Sequence, residues 1–272
     1  MIERLNFYDV YGYLIPGLAL LGALWVPFQL VTVFPPPAQW ATAFVAVVLG
    51  YVAGHLLQTL ADKAFPHARK VSGGGRRPFS SLMLDENEET FSEDLRTAVK
   101  RRIRRDFSLD VDGGDPNTLE GRRRDAFMLC RAALVRNEAA AYAEQSQGMY
   151  ALMQGLAAAA TVAIFYLAGW LAAACVRPEP KVLRVLVVLA VVALVVTAAL
   201  PKTGRYALWL TAIASGFVGF LCGDVWPFGV RAFYLLLGGC VMAFFVAFKC
   251  HAAYLDFAKN FAATIYRDFL YL

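Results

Sequence analysis

The apolar positions of this chain gather into two long blocks with a polar block between them. In residues 11–34 and again in 38–60 almost every position is apolar, and a run of about 20 such residues crosses a bilayer as a helix. Pro16 and Pro27 bound or kink the first run, and the uncharged turn FPPPAQW joins it to the second, so the two predict a helical hairpin. Phe7, Tyr8, Tyr11 and Tyr13 precede or open the first run, as an interfacial aromatic belt would. Beyond the polar block, residues 148–176, 182–200, 206–222 (rather short) and 230–249 predict four further spans, six in all. The last residues place Tyr254, Phe257, Phe261, Ile265 and Phe269 at helical spacing. They predict an amphipathic helix lying on the membrane or on the polar insert.

Inside the polar block the period changes. Leu95, Val99, Ile103 and Phe107 recur every four residues, which makes one apolar stripe on a helix. Arg96, Lys100, Arg101, Arg102, Arg104 and Arg105 cover the remaining faces. Ser92 is placed to cap that helix, with Glu93 and Asp94 in its first turn. Asp115-Pro116 reads as a second helix start. From 118 to 176 no proline intervenes, and the composition predicts one continuous helix from the insert through the third span. The stretch SGGGRRP has no strand pattern beside it and reads as a flexible linker. The expected fold class is all-α: a polytopic helical membrane protein of six spans with a helical insert. Its expected divisions are a membrane hairpin (1–60), an insert (61–147), a membrane block of four spans (148–250) and a terminal amphipathic helix (251–272).

Composition supports this division. Hydrophobic residues make up 59% and charged residues only 17%, where soluble domains carry about 25%. Most of the charge lies between Asp62 and Glu144. The formal net charge of +5 is then in part topogenic, because cations mark the cytoplasmic side of spans. Lys63, Arg69 and Lys70 at a span end put the insert in the cytoplasm, and an even number of spans puts both termini there. Arg177, Lys181 and Arg184 would then face outward; the uncharged triple-proline turn and the basic insert outweigh that one loop. Pro16 interrupts the N-terminal stretch before any small-residue cleavage site, so it reads as a retained span. The five cysteines have no paired spacing and read as small buried hydrophobes.

The candidate chemistry is the basic face. Arg101, Arg102, Arg104 and Arg105, with Arg122, Arg123 and Arg124 on the next helix, form two cationic clusters. Three readings stand beside one another. The face is solvated, or neutralised by the acidic run 85–94. Alternatively it meets anionic lipid headgroups. Or it binds the phosphates of a nucleotide or nucleic-acid ligand, which the planar guanidinium fork suits. No aromatic residue interleaves the arginines, which argues against strong base stacking. Ala46, Gly50 and Gly54 form a small-residue ridge for close helix packing. His55 and Gln58 beside it are candidates for a pore or gate, against the alternative of an interfacial or structural role. The stretch DVDGGDPNTLEG lacks the glycine and glutamate that a calcium loop needs at its sixth and twelfth positions. The three histidines are far apart, and no phosphate loop or nucleophile elbow appears, so no enzyme, metal site or cofactor is expected.

The succession FYDVYGYLIPG, GHLLQ, PFSSLML, FMLCRAALVRN and GMYALMQGL, which covers the first span through the third, resembles a broad bacterial family of small inner-membrane proteins. Within it, the nearest resemblance is to the membrane channel effectors of Hailong-type anti-phage defence. That resemblance implies a homo-oligomeric channel, a tetramer, in the bacterial inner membrane. It implies that a short single-stranded oligodeoxyadenylate, made by a partner nucleotidyltransferase, holds the channel shut, and that ligand loss opens it. The cations of the insert would then meet phosphates. Two other classes remain beside this ligand-gated pore. One is a non-conducting membrane anchor that recruits a cytoplasmic partner. The other is a secondary transporter, which the absence of related halves and of interrupted polar helices disfavours.

Overall fold

The computed structural model of the chain describes residues 8–31, 40–65, 68–70, 76–86, 88–113, 115–175, 206–225 and 229–272. The described residues are almost entirely helical. A π-helical turn, Asp9–Leu14, leads into α1 (Ile15–Leu30) and α2 (Trp40–Ala64). Two short strands, β1 (Ala68–Lys70) and β2 (Arg76–Pro78), come next, followed by α3 (Phe79–Leu82), α4 (Glu93–Phe107) and α5 (Pro116–Arg136). The series closes with α6 (Ala141–Cys175), α7 (Ala207–Val225) and α8 (Val230–Tyr271). These elements form two compact units: Met1–Phe65 with Ala151–Tyr254, and Pro66–Tyr150 with Leu255–Leu272. The hairpin and the later apolar block, separate in the sequence, thus belong to one unit. α6 and α8 contribute residues to both units.

Among the described residues, four helical stretches are long and apolar enough to cross a membrane: Asp9–Leu30, Ala43–Ala64, Ala141–Ala173 and Val230–Tyr271. α7 is apolar but shorter over Ala207–Gly223. The span expected at 182–200 lies outside the described residues. α6 is the central helix: 67% of its apolar window is buried, against 22% for α2 and 6% for α8. Its alanines explain this position, because small side chains let neighbours approach from several sides. Ala158, Ala159 and Val162 meet Leu57 and Ala61 of α2 and Leu208 and Ala212 of α7. Two turns further on, Trp170 is fully buried and meets Phe28 edge to face at 5.6 Å between centroids.

Backbone contact sets the spacing of these helices. A methyl group placed on Gly17 would lie 1.8 Å from the Gly50 carbonyl oxygen, and one on Gly54 would lie 1.9 Å from that of Tyr13. α1 and the π-helical turn before it therefore touch α2 main chain to main chain at positions where only glycine fits. The same device joins α6 to α7, where a methyl on Gly169 would sit 1.9 Å from the Gly216 oxygen. The opposite faces remain bare. Phe44, Val52 and Leu56 on α2, and Tyr234, Met242, Phe245 and Phe248 on α8, are exposed. Apolar surface on that scale is stable against lipid, not water, so the chain is membrane-associated.

The polar unit has a core of its own. Met83, Leu84, Val99, Ile103, Cys130, Leu134, Tyr266 and Phe269 are buried in one cluster. Burial pushes the Cys130 thiol up to about 12, which keeps it neutral. The terminal amphipathic stretch is the end of α8, which runs unbroken through His251. Its Phe261, Ile265 and Phe269 lie in this core. Of the two sites expected for that stretch, it takes the insert.

Two local expectations are corrected. The single helix expected over 118–176 is interrupted. α5 ends at Arg136 and α6 begins at Ala141. Glu138 takes a left-handed φ of 56°, its N–H donates to the Val135 carbonyl at 3.2 Å, and the Ala139 N–H reaches the Leu134 carbonyl at 3.0 Å. That is a Schellman stop, which usually carries glycine at the left-handed position; with glutamate there the sequence gives no sign of it. The linker expected at SGGGRRP is flanked by strands after all. Ala68 pairs with Pro78, and Lys70 with Arg76, in an antiparallel hairpin too short to show a period.

Two outcomes follow for stability. Gly17→Ala disrupts folding of the apolar unit, whereas Gly22→Ala, which would meet nothing within 4 Å, leaves it intact; melting in detergent separates them. Glu138→Gly raises the stability of the polar unit by about 0.5–1 kcal/mol in denaturant titration, because the left-handed strain of a non-glycine residue is removed.

Candidate anion-binding site

α4 is built as its sequence demands. The Ser92 hydroxyl accepts the Leu95 N–H at 3.3 Å, Val99 and Ile103 are fully buried, and Leu95 and Phe107 pack at the edge of the same core. Docked by that stripe, the helix turns its cations in several directions, and they meet different partners.

Some of them hold the polypeptide itself. Arg96 is buried. Its Nη1 donates to the Glu86 carbonyl at 3.0 Å, and its Nη2 donates to the carbonyls of Phe91, at 3.0 Å, and Glu88. Arg102 lies over the Phe269 ring at 5.1 Å and donates to the Leu270 carbonyl at 2.6 Å, capping the negative end of α8. Arg123 is 7% exposed; its Nε donates to the Val111 carbonyl at 3.2 Å and its Nη1 to the Asp85 carboxylate at 3.3 Å. Asp85 also takes Arg77 at 2.9 Å. Arg122 donates to the Gly113 carbonyl.

The remainder form an outward face. Arg101, Arg104 and Arg105 stand at i, i+3 and i+4 of α4, on one side of the helix, and all are exposed. Arg104 Nη2 donates to Asp110 Oδ1 at 2.7 Å, and Arg105 Nε to Asp106 Oδ1 at 2.6 Å. Asp106 also accepts from Arg102 Nε at 3.1 Å. Beside them Lys100 pairs with Asp112 at 2.6 Å. Hydrogen bonds from Arg105 and Arg104 hold the Asp106 and Asp110 carboxyls below the usual carboxylate range. Arg122 adds to the positive field at Asp110 from α5. Among the described residues, Arg101 and Arg124 make no hydrogen bond or ion pair.

The seven arginines singled out by the sequence therefore separate. Arg102, Arg122 and Arg123 serve backbone carbonyls; Arg101, Arg104 and Arg105 share an outward side of α4; Arg124 is exposed on α5. The acidic run 85–94 is not the main counter-charge of α4. Asp85 of that run meets Arg123, while Arg102, Arg104 and Arg105 of α4 turn to aspartates that follow in sequence. Asp106 was readable, because it stands four residues after Arg102. Asp110 and Asp112 were not, because they reach α4 only through a chain reversal.

The positions considered for a pore or gate lie in the apolar unit. His55 is exposed, stacked on Tyr13 at 3.7 Å and edge-on to Tyr51 at 4.6 Å. Gln58 is buried and donates through Nε2 to Gln154 Oε1 at 3.1 Å and to Asp62 Oδ1 at 3.2 Å. Gln154, also buried, donates to the Phe65 carbonyl at 3.1 Å. Gln58 thus faces α6 of its own chain. Gln154 escaped the sequence reading, although a lone amide in an alanine-rich run marks such a partner. Gly50 packs on Leu18 of α1, Gly54 on the Tyr13 backbone in the π-helical turn before it, and Ala46 is half-buried.

Comparison of the chain with protein-family models, with curated proteins and with solved structures finds no match.

The two classes of arginine respond differently to truncation. Arg123→Met costs about 2–3 kcal/mol, since it removes charged hydrogen bonds to Val111 and Asp85 in a buried place. Arg101→Ala leaves the melting temperature unchanged within the scatter of surface substitutions. Thermal unfolding of the two variants checks this.

Proposed function

We propose that the protein is a homo-oligomeric membrane channel effector of anti-phage defence whose polar unit senses an anionic, phosphate-bearing ligand. The observation that carries the reading is the outward face of Arg101, Arg104 and Arg105 on a helix docked by a buried stripe, in a chain whose other unit has membrane-length helices. Three guanidiniums on one helical face present forks to successive phosphates, which is the arrangement a short nucleic-acid strand requires. The exposed Asp110 and the partly exposed Asp106 that face them form weak bridges in water, so a phosphate chain can replace them. In this reading the protein sits in the bacterial inner membrane with six spans, the polar unit and both termini cytoplasmic. Four subunits assemble, and a nucleotidyltransferase supplies a short oligodeoxyadenylate that keeps the pore closed. These particulars follow the resemblance noted in the sequence.

A second reading has its own observation. Asp106, Asp110 and Asp112 already neutralise part of α4, and a self-neutralised face suits a membrane anchor that recruits a protein partner.

Binding of a short single-stranded oligodeoxyadenylate to the full chain in nanodiscs separates the two. The channel reading expects binding that weakens steeply with salt, with a log–log slope of about −0.7 per phosphate contacted. It also expects Arg101→Glu, Arg104→Glu and Arg105→Glu together to abolish binding. Binding indifferent to both changes, or no binding by the native chain, leaves the anchor. Current across a planar bilayer, present on ligand withdrawal, distinguishes a pore from a silent anchor directly.

A further inference from the structure

The segment that follows α4 does more than connect it to α5. Ser108 takes a left-handed φ of 52°, which stops the helix and turns the chain back, and Gly113 takes φ 70° before α5 begins. Between them Val111 is buried in the core, so the turn is anchored. α5 grips it twice more, through Arg123 on the Val111 carbonyl and Arg122 on the Gly113 carbonyl. Asp110 is held in place by the Asp112 N–H, which donates to its Oδ1 at 3.1 Å. The result is a fixed loop that lays Asp110 against Arg104 and Asp112 against Lys100. Asp106, in the last turn of α4 itself, is shared by Arg105 and Arg102.

We propose that residues 108–113 together with Asp106 form a built-in counter-ion strap that occupies the Arg104 and Arg105 guanidiniums, and that an anionic ligand binds this face by exchange for those carboxylates. The inference rests on the anion-binding reading of α4 and gives that site its regulation. Because three grips hold the strap, its displaced carboxylates stay close and repel the incoming anion. A single phosphate offers no more than the aspartate it replaces. A chain of phosphates engages Arg101, Arg104 and Arg105 together and overcomes the repulsion, so the strap selects oligonucleotides over mononucleotides and sets a threshold concentration. Arg101, which has no partner among the described residues, is the landing point.

The test compares three full-length proteins in nanodiscs for binding of a short oligodeoxyadenylate and of deoxyadenosine monophosphate. These are the native chain, Asp106→Asn with Asp110→Asn, and a control of equal charge change, Glu89→Gln with Glu93→Gln. Glu89 and Glu93 are exposed and make no ion pair among the described residues. The strap expects the asparagine pair to bind oligodeoxyadenylate on the order of tenfold tighter than both others. It also expects a steeper salt dependence, since counter-anions held by the unmasked arginines are released in addition to the counter-ions that the nucleic-acid strand gives up on binding either protein. Mononucleotide binding should appear or rise in the same variant. Binding by the asparagine pair alone overturns both, since the native face then senses no such ligand. Equal gains in the control and the asparagine pair, or no gain in either while the native chain binds, overturn the strap and leave the anion site standing. No binding by any of the three removes both. Should the double variant unfold, Asp106→Asn alone, which keeps the Asp110 bridge, must still show part of the gain; its absence overturns the strap.

Discussion

The polar unit depends on arginines that close backbone carbonyls. Irregular segments leave carbonyl groups without secondary-structure partners, and a buried carbonyl without a donor is costly. Here the donors are guanidiniums projected from two helices. Arg96 gathers the carbonyls of Glu86, Glu88 and Phe91, Arg102 ends α8 at Leu270, and Arg122 and Arg123 hold the turn at Gly113 and Val111. A guanidinium suits this because its donors form a planar fork that reaches more than one acceptor. Lysine, a point charge on a flexible stem, does not replace it at Arg96. The density of cations near α4 is therefore first a folding device, and only the part left over faces outward.

The apolar unit solves the reverse problem. Lipid gives no hydrophobic drive between helices, so cohesion comes from close backbone approach and a few buried polar bonds. The glycine contacts of α1 with α2 and of α6 with α7 supply the first. The amide chain from Asp62 through Gln58 and Gln154 to the Phe65 carbonyl supplies the second, tying α2 to α6. With α6 satisfied on several sides by small residues, the bulky side chains of α2 and α8 are free to face outward.

How far the sequence revealed this follows from the range of each interaction. α4 was legible as a helix, since its stripe and its cap are set within a few residues. The membrane-length helices were legible by length and apolar content, and 182–200 lies outside what the structure describes. What escaped depends on backbone conformation or on distant partners. The stop at Glu138 uses a residue that carries no turn signal, and the β1–β2 hairpin is three residues a side. The division of labour among the arginines turns on Leu270, Val111 and Gly113, and no spacing rule points from an arginine to a carbonyl 168 residues away.

That division also decides how the charged face can behave. A buried guanidinium bound to carbonyls cannot exchange, because leaving would strand both partners without water. An exposed guanidinium bound to an exposed carboxylate can, because solvent covers either partner as they separate. Arg123, which is buried, and Arg102, which is half-buried and held by the Leu270 carbonyl, keep the second kind in position: Arg123 fixes the turn that carries Asp110, and Arg102 shares Asp106 with Arg105. The rigid bonds thus keep the exchangeable ones at a fixed geometry. A face of that kind is stable by itself, since its charges are locally balanced, and in the proposed reading it offers a phosphate chain a register of sites. The same arginine chemistry, divided by burial and by partner, makes both the scaffold and the surface.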